Sequence, residues 1–283
     1  QFLKEKYLAE GYEVLVISRS RGDLQWSDKK AIGAALEGAT LVINLAGKSV
    51  DCRYNEKNRK EILNSRIDST NILGDAIKQC LNPPELWINS STATIYRHAE
   101  DRPMSEEHGE IGSGFSVGIA KAWEAAFFSH ELPATRRVAL RISIVLGKTG
   151  GAIRPILNLV RFGLGGKQGD GRQMFSWIHI EDLYRIIKFV EEHKALNGVY
   201  NCASPLPVTN TEFMRTVRQI AGTPLNIALP APAWLLSIGA VIIRTEPELI
   251  LKSRWVIPEK LTAAGFEFQY KMLEDAVEEI VRK

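Results

Sequence analysis

Cysteine is scarce in this chain of 283 residues, and its three copies, Cys52, Cys80 and Cys202, stand far apart with no paired spacing. Such a pattern predicts neither a disulfide framework nor a cysteine-based zinc cluster. We therefore expect no metal site and a reducing cytoplasm as the location.

Long hydrophobic runs and a strong charge of one sign are also absent. A membrane-spanning helix needs about 18 apolar residues, and the longest candidate, Trp234 to Ile243, has roughly half that length. The formal net charge is only +3, from 36 basic and 33 acidic residues spread along the chain. Neither nucleic acid nor an anionic membrane is therefore expected as the main partner.

What is present is an alternation of short β-rich runs with longer helical patterns. The runs lie at 12–18, 40–44, 86–89 and 137–143, and the helical patterns at 2–10, 56–80 and 115–130. Because strands that alternate with helices form βαβ units, the pattern predicts an α/β fold with a parallel sheet covered on both faces. Further on, the pattern predicts extended runs at 174–180 and 198–203, helices at 181–193 and from 209–211 onward, and short helices broken by prolines after Leu229.

Ligands bind outside the carboxyl ends of the strands in such a sheet, so the residues after each strand are candidate site residues. Arg19 and Ser20 follow the first run. A guanidinium and a hydroxyl suit a ribose 2′-phosphate, whereas a free 2′-hydroxyl calls for Asp or Glu. Taken alone, the tetrapeptide 18–21 (SRSR) is equally well interpreted as a solvated basic turn.

Several longer segments carry a resemblance to a known family. The segments INLAG (43–47), SSTATIY (90–96), RISIVLG (141–147) and FSWIHIEDL (175–183) resemble the extended short-chain dehydrogenase/reductases, the nucleotide-sugar epimerase and dehydratase group. Five more segments are similar to the YfcH-type branch of "epimerase family proteins": CRYNEKNRKEILNSRIDST (52–70), AWEAA (122–126), GLGGKQGDGRQMFSWIHIEDL (163–183), NCASPLPVTNTEF (201–213) and RWVIPEKLTAAGFEF (254–268). Together these segments extend over nearly the whole chain.

The resemblance implies a Rossmann-type doubly wound parallel sheet and a smaller C-terminal lobe on the substrate side. Residues 1–150, joined again by 174–205, would form the nucleotide-binding domain, and 151–173 with 206–283 the smaller lobe. Members of the superfamily begin with a strand and a glycine-rich turn that holds the pyrophosphate. Because Gln1 to Glu10 resembles the helix after that turn, we expect the first strand and the glycine loop to be missing from this sequence.

The resemblance also implies the cofactor, NADP in preference to NAD, and the residues that hold it. Arg19 and Ser20 would contact the 2′-phosphate, and Leu45, Ala46 and Gly47 the adenosine and its ribose. Glu61 and Arg66 would face the cofactor from the helix after INLAG, although surface charges on an amphipathic helix are an equally good interpretation. The remaining expected contacts are Ser90, Ser143 and Ile144.

The expected catalytic residues are Thr92 and Lys121. In the superfamily a Ser or Thr and the Tyr of a Y-x-x-x-K helix share one substrate oxygen, and the Lys lowers the pKa of the Tyr. Here Val117 stands in the place of the Tyr, or Ser116 if the alignment shifts by one residue, which also replaces Lys121 by Ala120. The phenol is missing in either alignment.

Two other proton donors receive little support from the sequence. Tyr96 is expected to turn into the loop after Thr92, and helix capping accounts for His179 and Asp182 better than an acid–base pair does. The sequence therefore predicts an NADP-dependent oxidoreductase or nucleotide-sugar-epimerase-like enzyme that acts on an unknown small molecule at an atypical site. The alternative is a catalytically inactive NADP-binding sensor or scaffold, and analogy suggests a homodimer through helices 56–80 and 115–130.

Overall fold

The structure, a computed structural model, describes residues 1–149, 152–222, 228–231 and 251–282. The helices are α1 (Phe2–Ala9), α2 (Lys29–Leu36), α3 (Glu56–Gln79), α4 (Phe115–Ser129), α5 (Ile153–Arg161), α6 (Ile180–Glu192), α7 (Asn210–Ala221), α8 (Glu259–Ala263) and α9 (Leu273–Val281). The strands are β1 (Ile17–Ser18), β2 (Leu24–Gln25), β3 (Leu41–Asn44), β4 (Leu86–Thr92), β5 (Arg136–Ile142), β6 (Ile144–Leu146), β7 (Met174–Phe175), β8 (Trp177–His179), β9 (Gly198–Cys202) and β10 (Val208–Thr209). The stretch from Trp234 to Ile243 lies outside the described residues, as does most of the segment that prolines were predicted to divide into short helices.

The main sheet has four strands in the order β3-β4-β5-β9, and every neighbouring pair is parallel. The predicted α/β fold with a parallel sheet is thereby confirmed. Asn44 pairs in register with Asn89, and Thr92 pairs with Ile142. The carboxyl ends of these strands therefore lie along one edge, where the sequence predicts the ligand.

Both faces of the sheet are buried because side chains alternate along each strand. On β4, Ile88 packs into a cluster with Tyr7 of α1 and Ile187 of α6. The neighbouring Trp87 faces the other way, into the cluster around α2, α3 and α4, and its ring lies 4.6 Å from that of Phe127. Within the described residues, no helix is long and apolar enough to cross a membrane.

The strand predicted over 12–18 is much shorter in the structure, where only Ile17–Ser18 pairs, with β2. The backbone before it is held by a local turn: the Val16 amide donates to the Asp23 carboxylate at 2.8 Å, and the Val16 carbonyl accepts from the Leu24 amide. The predicted strand is therefore wrong for residues 12–16, because apolar composition carries no information about the residues that pair with the run.

The C-terminal segment is fixed to α6 by one buried carboxylate. Asp182, fully buried, accepts hydrogen bonds from the amides of Gln269 and Tyr270, each at 2.8 Å. His179 caps the same helix, because its Nδ1 accepts from the Glu181 amide, while its Nε2 lies 3.1 Å from Glu279 of α9. Both residues therefore have structural partners, as capping predicts.

His179 makes stability depend on pH. Burial lowers its pKa, and the neighbouring Glu279 only partly opposes that shift. The unfolded chain therefore takes up a proton at His179 at a higher pH than the folded chain does, so stability is lost as the pH falls through about 6.5. Between about pH 7.5 and about pH 5.5 we expect His179 to account for part of the loss in the free energy of unfolding.

Urea unfolding at the two pH values measures this effect. In His179→Asn that part of the loss should disappear, while the exposed control His108→Asn should retain it. An equal loss in the unsubstituted protein and in His179→Asn would show that His179 does not carry it.

Candidate functional site

The turn after β3 presents a flat, open surface at the carboxyl edge of the sheet. Asn44 holds this turn: its Nδ2 donates to Asn89 Oδ1 at 2.7 Å, and its Oδ1 accepts from the Ala46 amide at 3.0 Å. Because Asn44 is buried and the chain turns immediately after it, Leu45 and Gly47 are left exposed. Small, open residues of this kind allow a planar ligand to approach the backbone.

Two charged residues of α3, Glu61 and Arg66, both contact Lys48. The Lys48 ammonium bonds to the Glu61 carboxylate, and Arg66 Nη1 donates to the Lys48 carbonyl at 3.0 Å. The Arg66 guanidinium lies against the indole of Trp123 on α4, and a Cβ at Gly47 would come within 2.9 Å of its Cζ. Both charges therefore border the turn at Gly47, where the sequence placed the cofactor.

Arg19 and Ser20 occupy an exposed turn after β1. The Ser18 hydroxyl accepts from the amides of Ser20 and Arg21, at 3.3 and 2.9 Å, and so fixes the turn. The hydrogen bond from Lys48 holds the pKa of Glu61 below its ordinary value, and the charges of Lys48, Lys57 and Arg19 add to this effect. Arg19 and α3 therefore face the same space across the edge.

The hydroxyl residues at the end of β4 divide between the two faces of the sheet. Ser91 is buried and donates to Glu124 Oε1 of α4 at 2.6 Å. Ser90 and Thr92 point to the opposite face, where Thr92 is half-buried and accepts from the Thr94 amide at 3.1 Å. Ser91 therefore serves the fold, while Thr92 remains at the edge where a substrate oxygen would lie.

Behind Ser91 lies a buried ion pair. Arg141 of β5 donates from Nε and Nη2 to the two carboxylate oxygens of Glu124, both at 2.8 Å, and from Nη1 to the Tyr96 hydroxyl at 2.8 Å. Tyr96 in turn donates to Asn201 Oδ1 at 2.9 Å, and burial raises its pKa. The phenol of Tyr96 is thus occupied inside the protein and not presented at the edge.

On α4 the two residues suggested for the tyrosine position differ in burial, and Lys121 is exposed. Val117 is buried in a cluster with Tyr96, while Ser116 is half-buried. Since each residue turns a helix by about 100°, Lys121 lies roughly 200° from Trp123, on the flank away from Arg66. Lys121 is therefore not on the side of α4 that faces Arg66 and Gly47. Ser116 is on that side.

Ser143 and Ile144 lie at the ends of β5 and β6. The Ser143 hydroxyl donates to the Cys202 carbonyl at 2.8 Å, and the Ile144 amide donates to the Ser176 carbonyl at 3.3 Å. Both residues are half-buried. They join the main sheet to the β6-β8 pair.

A cavity of about 570 Å³ opens beside the turn that follows Thr92, lined by Arg97, His98, Ile111, Gly112, Ser113, Leu251 and Lys252. Lys252 reaches it from the C-terminal segment and donates to the Thr94 carbonyl at 2.9 Å. Arg97 is held by two hydrogen bonds to Asp101, at 2.9 and 2.7 Å, so its charge is balanced locally.

Sequence reasoning missed Lys48 and Lys252. Lys48 directly follows INLAG, so the strand-end rule would have found it. Lys252 gives no local signal, because it stands 158 residues from the carbonyl that it contacts. The described residues contain no group of His, Cys, Asp or Glu side chains able to hold a metal ion.

Comparison with known proteins identifies relatives over nearly the full chain. Residues 1–203 match the profile of the NAD dependent epimerase/dehydratase family, and residues 231–280 match a domain of unknown function, DUF1731. The mouse epimerase family protein SDR39U1 is 34% identical over 96% of this chain and 92% of its own length, and YfhF of Bacillus subtilis is 30% identical over 96% and 91%. The crystal structure of human SDR39U1 with NADPH superposes with a TM-score of 0.87 at 32% identity, covering 99% of this chain and 94% of that one.

The buried ion pair leads to a stability prediction. Arg141→Met leaves the Glu124 carboxylate buried and uncompensated, so the free energy of unfolding should fall by about 3–5 kcal/mol. The double variant Arg141→Met/Glu124→Leu should recover most of that loss, because it removes both charges. Urea unfolding followed by tryptophan fluorescence measures both.

The exposed pair of Arg282 with Glu278 on α9 provides the matched control. Arg282→Met should change stability by less than about 0.5 kcal/mol. A double variant as unstable as the sum of its two single variants would contradict the coupling of Arg141 to Glu124.

Proposed function

The chain belongs to the NAD dependent epimerase/dehydratase family, and from that premise we propose that it binds NADP and carries out NADP-linked oxidation–reduction or epimerisation of a small molecule. The observation that carries the proposal is that Arg19 and Ser20 after β1, and Leu45 and Gly47 after β3, are all exposed where their strands end. A cation and a hydroxyl at one end and a flat backbone surface next to them suit a phosphorylated adenosine. The NADPH bound by human SDR39U1 supports this choice of cofactor.

The other residues of the edge fit the same ligand. Because Gly47 has no Cβ, the Arg66 guanidinium lies directly against the turn, and Arg66 and Lys48 bring positive charge to the space that the phosphates would occupy. Glu61 keeps Lys48 in place through their ion pair. Ser90 and Ser143, near the carboxyl ends of β4 and β5, and Ile144, the first residue of β6, would border the nicotinamide end.

When bound, the nicotinamide supplies or accepts a hydride, two electrons with one hydrogen. Thr92 would orient the substrate by a hydrogen bond to the oxygen on the carbon that reacts, because its hydroxyl stands at the end of β4. Lys121 stays a predicted contact of the nicotinamide ribose. The cavity beyond Thr94 would hold the rest of the substrate.

A second candidate function is an NADP-binding sensor or scaffold without catalysis. Two observations favour it: Val117 is buried in an apolar cluster, and the Tyr96 phenol is bonded on both sides within the protein. The two functions share the cofactor and differ only in turnover.

Arg19 distinguishes NADP from NAD. In Arg19→Ala the dissociation constant for NADPH should rise about 10- to 100-fold, since a charge-assisted hydrogen bond contributes about 1.5–3 kcal/mol, whereas that for NADH should stay unchanged. Fluorescence titration with each cofactor measures the constants, and Arg21→Ala provides the neighbouring control. Equal weakening of both cofactors in Arg19→Ala would contradict a contact with the 2′-phosphate, and the absence of NADPH binding in the unsubstituted protein would overturn the proposed function.

Turnover measurements on variants of Thr92 distinguish the proposed enzyme from the proposed sensor. NADPH oxidation by a panel of carbonyl compounds should reveal turnover, and Thr92→Val should lower it about 100-fold without changing the dissociation constant for NADPH. Tight NADPH binding without turnover across the panel would favour the sensor. Thr92→Ser, which keeps the hydroxyl, should retain most of the activity.

A further inference from the structure

The turn at Gly47 and Lys48 lies on the path that the pyrophosphate of a bound dinucleotide would take. With the 2′-phosphate at Arg19 and the nicotinamide near Thr92, the pyrophosphate that joins the two halves has to cross the space between them. Two cations border this turn, Lys48 and Arg66. The partners of each cation decide which of them is suited to bind an anion.

The charge of Lys48 is already matched within the protein. Its ammonium forms an ion pair with the Glu61 carboxylate and donates to Asn58 Oδ1 at 2.7 Å. A phosphate at Lys48 would therefore compete with an ion pair that is already formed.

The charge of Arg66 has no such match. Its Nη1 donates to the carbonyls of Lys48 and Ile62, at 3.0 and 2.9 Å, and within the described residues no Asp or Glu pairs with the guanidinium. Burial lowers the pKa of Arg66, because the guanidinium has lost part of its contact with water. An anion that arrives next to a half-buried cation of this kind forms a strong, charge-assisted hydrogen bond with it.

The orientation of this guanidinium is fixed by a ring and by a glycine. Its Cζ lies over the indole of Trp123, 5.0 Å from the ring centroid. A Cβ at Gly47 would lie 2.9 Å from Cζ and 3.2 Å from both Nη1 and Nη2, so a flat face of the guanidinium is turned to Gly47. In the part of the chain that the structure describes, Nε and Nη2 make no hydrogen bond. These two nitrogens form the fork with which an arginine binds two oxygens of one phosphate.

A fully buried threonine links the ring of Trp123 to the helix that carries Arg66. The Thr70 hydroxyl accepts from Trp123 Nε1 at 3.1 Å and donates to the Arg66 carbonyl at 2.8 Å. It also accepts from Asn44 Nδ2 at 3.2 Å, so its one donor and two acceptor sites are all used. Since Asn44 also bonds to the Ala46 amide, one buried network joins the indole, the helix and the turn.

We propose, on the basis of the proposed function, that Arg66 binds the pyrophosphate of the dinucleotide and that Trp123 and Thr70 are positioning residues for its guanidinium. The helix α4, which carries no tyrosine at the expected place, then serves the cofactor through its indole. Trp123 and Thr70 touch no ligand and act on affinity through Arg66.

Three ligands separate this role from the other contacts of the edge. NADPH and NADH contain the pyrophosphate, whereas 2′-AMP contains the adenosine and the 2′-phosphate without it. In Arg66→Met the dissociation constants for NADPH and NADH should both rise about 10- to 100-fold, and that for 2′-AMP should stay unchanged. Arg66→Lys, which keeps the charge but not the fork, should fall between. Titration calorimetry measures the constants, and Arg282→Met controls for the loss of an exposed arginine.

Variants of the two positioning residues test whether they act through Arg66. Trp123→Leu should raise the dissociation constant for NADPH about 3- to 10-fold, and Trp123→Phe, which keeps a ring, should raise it less. In the background of Arg66→Met, Trp123→Leu should have no further effect. Thr70→Val should weaken binding, whereas Thr70→Ser, which keeps the hydroxyl, should not. Trp87→Leu removes another buried indole that packs on α4, and it should leave the constant unchanged.

Gly47→Ala tests the same contact without a change in the core, should Trp123→Leu fail to fold. The new Cβ would displace the guanidinium, which is the far end of a flexible side chain. NADPH and NADH should therefore bind more weakly, while 2′-AMP should not. Equal weakening of 2′-AMP would count against the assignment of Arg66.

Failure of this inference is distinguishable from failure of the proposed function. If NADPH binds and Arg66→Met leaves its dissociation constant unchanged, or weakens 2′-AMP as much as NADPH, the assignment of Arg66 is overturned and the cofactor site stands. A further loss of affinity from Trp123→Leu in the Arg66→Met background overturns the positioning role. If NADPH does not bind to the unsubstituted protein, the proposed function is wrong.

Discussion

The carboxyl edge of this sheet depends on one buried ion pair, Glu124 with Arg141. Taking two charges out of water is costly, and such a pair is stable only when its remaining hydrogen-bonding groups find partners. Here they do: Glu124 accepts from Ser91, and Arg141 donates to Tyr96. Through Tyr96 and Asn201 the network continues to the Ile257 carbonyl in the C-terminal segment. The end of β4, the helix beside it and the C-terminal segment at Ile257 are thereby held in one arrangement, with the Thr92 hydroxyl at the edge.

The cofactor side has the opposite character. Arg19, Leu45 and Gly47 are exposed, and the positive charges of Lys48 and Arg66 border the same turn. A rigid side whose hydrogen-bonding groups are paired, next to an open, cationic side, suits a site that orients one group and admits another. The same division explains why Tyr96, although only four residues from Thr92, is unsuited to proton transfer.

The sequence predicted the fold well and the site in part. The helices at Glu56–Gln79 and Phe115–Ser129 and the parallel sheet follow from apolar spacing, which is a local property of the chain. The strand-end rule likewise located the exposed residues at Arg19 and Gly47. Contacts between distant residues leave no such local signal, so the pairing of Glu124 with Arg141 and the approach of Lys252 to Thr94 were not predicted. The apolar periodicity of a helix also does not show which neighbour each of its faces contacts. The position of Lys121 on the side of α4 away from Arg66 was therefore not predicted.

A crystal structure of the protein with NADPH tests the central claim most directly, namely that the edge from Arg19 through Gly47 to Thr92 is the cofactor and reaction site. We expect the 2′-phosphate to contact Arg19 and Ser20, and the adenosine to lie on Leu45 to Gly47. The nicotinamide C4 should face the space in front of the Thr92 hydroxyl, with room for a substrate atom at roughly 3–3.5 Å from C4. A 2′-phosphate without contact to Arg19, or a nicotinamide turned away from Thr92, would contradict it.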